Sequence, residues 1–183
     1  TGGTPARRQV LQDLGIDDNT MVVAYDNSAN RWAARMVWYL RWLNHDGAAL
    51  LDGGLDAWRA AGGPVQSGSN SPAKRGTPHL SARSSTMLDT SRLQSRLKAG
   101  GIQLVDMRTP DETKDDANGA SKLGRIPNSI SLPWTGLNAN GRLKPQADIR
   151  QALASAGISP NKPVVLYARY GVEADFPWGV LKW

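Results

Sequence analysis

The feature that most constrains this chain is an internal repeat at domain length. Gly15-Ile16-Asp17-Asp18-Asn19-Thr20-Met21-Val22-Val23-Ala24-Tyr25 aligns without gaps on Gly157-Ile158-Ser159-Pro160-Asn161-Lys162-Pro163-Val164-Val165-Leu166-Tyr167, a constant shift of 142 residues. Shifts of about 20 to 50 residues would mean a solenoid, whereas one this long means two copies of a single fold. In 183 residues the two copies must be small or incomplete, since a domain takes roughly 150.

Each aligned segment ends in a short β-prone run, Met21–Tyr25 and Val164–Tyr167, flanked by polar residues as a buried strand would be. After Tyr25 comes a helix pattern from Ala29 to Leu43, with Ala33, Met36, Val37, Leu40 and Leu43 on one face. Ala48–Leu51 reads as a second strand, Asp52-Gly53-Gly54 as a turn, and Leu55–Ala61 as a short helix stopped by Gly62-Gly63-Pro64. The later copy has a helix capped at Asp89, Thr90 or Ser91 and stopped at Gly100-Gly101. A strand Ile102–Asp106, a polar loop Arg108–Leu123, a short strand Ser129–Leu132 and a helix Ile149–Ala156 follow. This alternation predicts an α/β fold: two domains, each a parallel sheet flanked by helices. Between them, 67–83 is rich in Gly, Ser and Pro without apolar period and reads as an exposed linker. The predicted division is 1–66, 67–83 and 84–183.

Composition narrows the chemistry. There is no Cys, so disulfides, thiolate metal sites and thiol nucleophiles are excluded, and His45 and His79 are too far apart for a local zinc motif. Twenty-two Lys and Arg against 16 Asp and Glu give a net charge of +6, which favours anionic partners of any size. Trp32, Trp38 and Trp42 interleave with Arg31, Arg35 and Arg41, but without an RNA-binding module this texture fits a helix packed on a sheet better than nucleic-acid binding. Asp111, Glu112, Asp115 and Asp116 lack calcium-loop spacing and read as a solvated loop. No run reaches the roughly 18 apolar residues of a membrane span, and Thr1–Asp13 has no signal-peptide core, so a cytoplasmic protein without a membrane partner is expected.

Residues just beyond Tyr25 and Tyr167 sit at the carboxyl end of a parallel strand, where open α/β sheets bind ligands. In the second copy these are Ala168-Arg169-Tyr170-Gly171-Val172-Glu173-Ala174, a turn leading into a helix, whose amides and Arg169 can surround an anion. Glu173 opposes that charge.

The chain resembles the rhodanese family, specifically its tandem-domain thiosulfate and mercaptopyruvate sulfurtransferases. The resemblance rests on Leu50-Leu51-Asp52-Gly53-Gly54-Leu55-Asp56-Ala57-Trp58 with Ala61-Gly62-Gly63-Pro64-Val65, on Leu104-Val105-Asp106-Met107-Arg108, on Gly124 to Trp134, and on Gly141-Arg142-Leu143-Lys144. It implies a sulfurtransferase without metal or organic cofactor, moving sulfane sulfur from a small anionic donor to a thiol or cyanide through a cysteine persulfide. The family's cysteine falls at Ala168, so the chain as given is expected to be inactive. Ala168 is an engineered replacement, a natural loss or a misassignment. The resemblance places Arg108, Arg169, Tyr170, Gly171, Val172 and Glu173 around the donor; a salt bridge to Asp106 is the plainer role for Arg108. Asp26, at the matching position of the first copy, resembles the acidic residue of the non-catalytic domain, where its carboxylate would take an anion's place; a simple helix cap is the plainer role. Against the family's order of motifs, both ends are expected to be truncated, leaving each sheet short of strands. The competing reading is a non-catalytic anion- or protein-binding module.

Overall fold

A computed structural model of the protein describes residues 4–70, 72, 74–114 and 124–181. In chain order these form α1 (Thr4–Asp13), β1 (Val22–Ala24), α2 (Arg31–Trp42), β2 (Ala48–Leu50), α3 (Gly54–Ala60), α4 (Thr90–Ala99), β3 (Gln103–Asp106), α5 (Pro110–Lys114), β4 (Ile130–Ser131), β5 (Asn138–Ala139), β6 (Arg142–Leu143), α6 (Gln146–Ser155), β7 (Val164–Tyr167) and α7 (Val172–Leu181). A 3-10 turn, Trp134–Leu137, precedes β5.

The repeated strands take equivalent places. β1 pairs in parallel with β2, Val22 opposite Ala48, and β7 pairs in parallel with β3, Leu104 opposite Val165, with β4 on the far side of β3. β5 and β6 form a separate antiparallel hairpin through Asn140 and Gly141, both at positive φ as a tight two-residue turn requires.

α2 shows why its sequence carries both an aliphatic stripe and tryptophans. Val37, Leu40 and Leu43 join Leu11, Ile16 and Ala48 in the core of the first copy. On another side, Ala34 enters the core of the second copy with Val105, Met107, Leu137, Ile149 and Phe176. α2 and α7 therefore pack against each other, and the two copies meet along the helices that follow their repeated strands.

Besides the β5–β6 hairpin and the 3-10 turn, which the sequence pattern did not announce, three features differ from the sequence expectation. α1 was not expected, because its apolar stripe is thin; Leu11, almost wholly buried, anchors it. The polar loop contains α5, started by a reciprocal cap in which Thr109 N–H donates to Glu112 Oε2 (2.7 Å) and Glu112 N–H donates to Thr109 Oγ1 (3.4 Å), with Pro110 in the first helical position. The remainder of that loop, including Asp115 and Asp116, lies outside the described residues. The connector 67–83 is strapped down over its second half. Thr77 N–H donates to Asp17 (2.5 Å), His79 N–H to Asp18 (2.6 Å), Arg75 pairs with Asp13 (2.7 Å), and Gly76 N–H donates to the Gln12 carbonyl (2.8 Å). Gly76 is buried so closely on Ile16 that a β-carbon would overlap its backbone.

Among the described residues no helix is long and apolar enough to cross a membrane, and no cluster of three or more His, Asp or Glu is placed to hold a metal ion. His45 is buried, and its Nε2 donates to the Thr20 carbonyl (2.9 Å), tying the end of α2 to the loop before β1.

Candidate active-site loops

The two loops after β1 and β7 are the same device filled differently. In the first, the Asp26 carboxylate accepts four backbone N–H groups: Ser28 (2.8 Å) and Asn30 (3.0 Å) on Oδ1, Trp32 and Ala33 (both 2.8 Å) on Oδ2. A helix start leaves amides without intrahelical acceptors, and a carboxylate there satisfies them while opposing the positive end of the helix dipole. Asp26 thus caps α2, and its carboxylate fills the turn of amides before the helix.

The Asp-Gly-Gly turn supports this loop from behind. Asn30, buried and left-handed (φ 68°), accepts from Gly53 N–H (3.2 Å) and donates to Asp52 Oδ1 (2.8 Å). Asp52 Oδ1 also accepts Leu143 N–H (2.8 Å), so one carboxylate oxygen joins both copies. Gly54 lies against the Asp26 carbonyl at φ 58°, leaving no room for a β-carbon. These contacts give the sequence motif a physical reason.

In the second loop, β7 delivers residue 168 to the position equivalent to Asp26, and that residue is Ala168, half-buried against the core. The loop is shorter than expected: Val172 already begins α7, and the amides of Ala174 and Asp175 donate to the Gly171 carbonyl (2.9 and 3.1 Å). Gly171 takes φ 76°, the left-handed conformation that turns the chain into the helix. Arg169 lies over the ring of Tyr170, 5.4 Å from its centroid, and Tyr170 is exposed. Val172 and Glu173, the first residues of α7, are buried. The Glu173 carboxylate turns back and accepts Tyr170 N–H (3.3 Å).

Arg108 is held in the plainer arrangement. Its guanidinium grips Asp106 through Nε (2.9 Å) and Nη2 (2.7 Å), donates to the Gly124 carbonyl (2.9 Å), and lies 5.5 Å from the centre of the Tyr167 ring. Tyr167 in turn donates to Asp106 (2.8 Å), accepts from Ile126 N–H (3.2 Å) and meets the Ser129 hydroxyl (3.0 Å). Burial raises the Asp106 pKa, but the bonds from Arg108 and Tyr167 outweigh it and hold the carboxyl below its ordinary range. Arg108 is stabilised as the cation, and burial pushes the Tyr167 hydroxyl up. This network braces the strand ends beneath the loop. In its described contacts Arg108 does not reach into residues 168–173.

Sequence reasoning missed one member of the neighbourhood. Arg35, on α2, pairs with Asp175 on α7 (2.6 Å) and lies beside Gly171. Asp175 is pushed up to about 6 by burial, against the lowering effect of Arg35 and with a further raising contribution from Glu173. Arg31 lies over both Trp32 and Trp134, 5.7 and 5.6 Å from the ring centroids, and Trp134 packs edge-on against Phe176. The packing of α2 on α7 brings Arg35 to Asp175, and nothing in local spacing announces it.

Residues 3–61 and 89–183 match the profile of the rhodanese-like domain. The chain belongs to the rhodanese family. Among curated relatives it is 31% identical over 172 residues to a thiosulfate sulfurtransferase of Pseudomonas aeruginosa, covering 93% of this chain and 63% of that one. It is 28% identical over 187 residues to a protein of Thermus thermophilus named sulfur carrier protein TtuD, covering 96% and 66%. The chain thus spans just under two thirds of the length of these relatives. The rhodanese fold itself is seen in the 3-mercaptopyruvate sulfurtransferase SseA of Escherichia coli, which superposes with a TM-score of 0.87 at 21% identity over 97% of this chain and 67% of that one. Two segments matched to one domain profile agree with the tandem repeat and the paired parallel sheets.

Proposed function

We propose that this chain carries the framework of a rhodanese-type sulfurtransferase, with the second loop as its active site and Ala168 in the place of the nucleophile. Its units are 1–66, a non-catalytic copy; 67–83, the connector; and 84–183, the copy of catalytic type. The observation that carries this reading is the equivalence of Asp26 and Ala168: a side chain at this position of the loop gathers backbone amides, as the four bonds to Asp26 demonstrate in the first copy.

A thiol placed there would be favoured as thiolate by the positive end of the α7 dipole and the nearby arginines, which lower a cysteine's pKa from its ordinary value of about 8.5. With thiosulfate as donor, the thiolate attacks the outer sulfur. A new S–S bond forms, the bond to the sulfonate sulfur breaks, and sulfite leaves with the electron pair. Cyanide or a thiol then attacks the outer sulfur of the persulfide, and the enzyme thiolate departs. Arg169 and the amides of the loop hold the donor's anionic end, be it thiosulfate or 3-mercaptopyruvate. Ala168 has no electron pair to offer, so the chain as it stands binds the donor without turning it over.

Thiocyanate formation from thiosulfate and cyanide, followed for this chain and its Ala168→Cys variant, tests the proposal. Turnover in Ala168→Cys alone is expected. A folded Ala168→Cys variant without turnover rejects it and favours the non-catalytic anion- or protein-binding module.

A further inference from the structure

The second loop is flanked by a cation that comes from the other copy. Arg35 rises from α2 of the first copy, and its Nη1 lies 2.6 Å from Asp175 Oδ2 and 3.4 Å from the point where a β-carbon on Gly171 would stand. Its guanidinium lies over the Trp38 ring, 4.8 Å from the centroid, which fixes the direction of the side chain. The pair is asymmetric in its exposure: the Asp175 side chain is 7% exposed and that of Arg35 is 43% exposed. The acid is therefore buried beneath a base that opens to solvent at the loop.

This arrangement is not inherited from the duplication. At the 142-residue shift Arg35 corresponds to Pro177 and Asp175 to Ala33. The pair exists only where the two copies face each other. A guanidinium offers five N–H donors in a planar fork, and the contact to Asp175 engages a single carboxylate oxygen, so donors remain for a second oxyanion. What this kind of loop accepts is visible in its duplicate, where a carboxylate fills it. In the second loop the side chain at that position is a methyl group.

We propose that Arg35 is a binding residue for the anionic end of a small oxyanion donor at the loop 168–173, and that Asp175 holds it in place there until the anion arrives. The active loop of one copy is thus completed by a residue of the other. The inference rests on the reading of this loop as the donor site.

Because the chain has no thiol, inorganic thiosulfate can be titrated to equilibrium without turnover, by calorimetry or by tryptophan fluorescence. Saturable binding is expected, weakened about tenfold in Arg35→Gln, the usual scale for one charge-assisted hydrogen bond. Asp175→Asn releases the guanidinium and tightens thiosulfate several-fold, and this gain vanishes in the double variant Arg35→Gln/Asp175→Asn. Where Arg35→Gln fails to fold, Arg35→Lys keeps the charge opposite Asp175 and loses only the fork, with an expected weakening of about threefold. Absence of saturable binding, unchanged affinity in either Arg35 variant, or a gain from Asp175→Asn that persists without Arg35 overturns the proposal. If Ala168→Cys forms no thiocyanate while thiosulfate binding still depends on Arg35, the sulfurtransfer reading fails and the assignment of Arg35 stands.

Discussion

At the scale of single residues, Asp26 and Ala168 show how one side chain decides the state of a loop. Asp26 satisfies four amides, and its removal leaves four donors competing for water at the start of α2. Asp26→Ala is expected to lower unfolding free energy by roughly 2–3 kcal/mol, at the upper end for an N-cap because one carboxylate serves several donors. Asp26→Asn, which retains one acceptor oxygen, should lose about half as much. Urea denaturation of the two variants checks the order, and equal losses would mean that charge rather than the number of bonds holds the loop. The sequence pointed to Asp26 through the repeat alone. It could not show that the carboxylate bonds on both sides of the turn, because that depends on Asn30 taking a left-handed conformation braced by Asp52 and Gly53.

At the scale of elements, α7 begins inside the proposed site and carries a buried carboxyl into the interface with α2. Asp175 in the folded protein keeps its proton up to about pH 6, whereas in an unfolded chain it releases it near 3.8. Between these values the native state binds more protons, so the contribution of Asp175 to stability is fullest below 3.8 and is lost as pH rises through 6. The difference amounts to about 3 kcal/mol. Asp106 runs the other way: its lowered pKa gives stability above 3.8 that is lost as pH falls. Asp175→Asn should therefore raise the thermal midpoint at pH 7.5 and remove the decline between pH 4 and 7, while the acid limb set by Asp106 remains. A parallel shift at every pH would contradict this account. The elements legible in the sequence were those with strong periodicity or clear stops: β1, α2, β2, α3, α4, β3 and β7 lie within a residue or two of expectation. α1 and α5 were not, since the first has only a thin apolar stripe and the second rests on a capping box around Pro110. Arg108 was rightly suspected of pairing with Asp106, but its bond to Gly124 and its place over Tyr167 depend on three strand ends meeting.

At the scale of the whole molecule, the connector behaves as part of the first copy. The composition of 67–83 reads as a free tether, and its turn formers conceal four carboxylates, Asp13, Asp17, Asp18 and Asp46, that fasten residues 75–83 along one side. Trypsin should consequently cut slowly after Arg75 and Arg83 in the native protein. Asp17→Ala/Asp18→Ala should open the site after Arg75 to digestion while the site after Arg83, held by Asp46, is cut as slowly as before, and equal rates after Arg75 in parent and variant would show the strap to be idle. The duplicated loop has a further consequence for the whole. In the first copy the anion is tethered to the chain, so its local concentration is fixed by covalent bonds and no dissolved salt competes with it. On the proposed reading of the loop 168–173, the second copy takes its anion from solution. Oxyanions should therefore stabilise the two copies unequally: on addition of thiosulfate, amide hydrogen exchange would slow in residues 169–175, while residues 28–33 kept the rates they had before. Duplication has left the protein with its own reference loop, built in and permanently saturated.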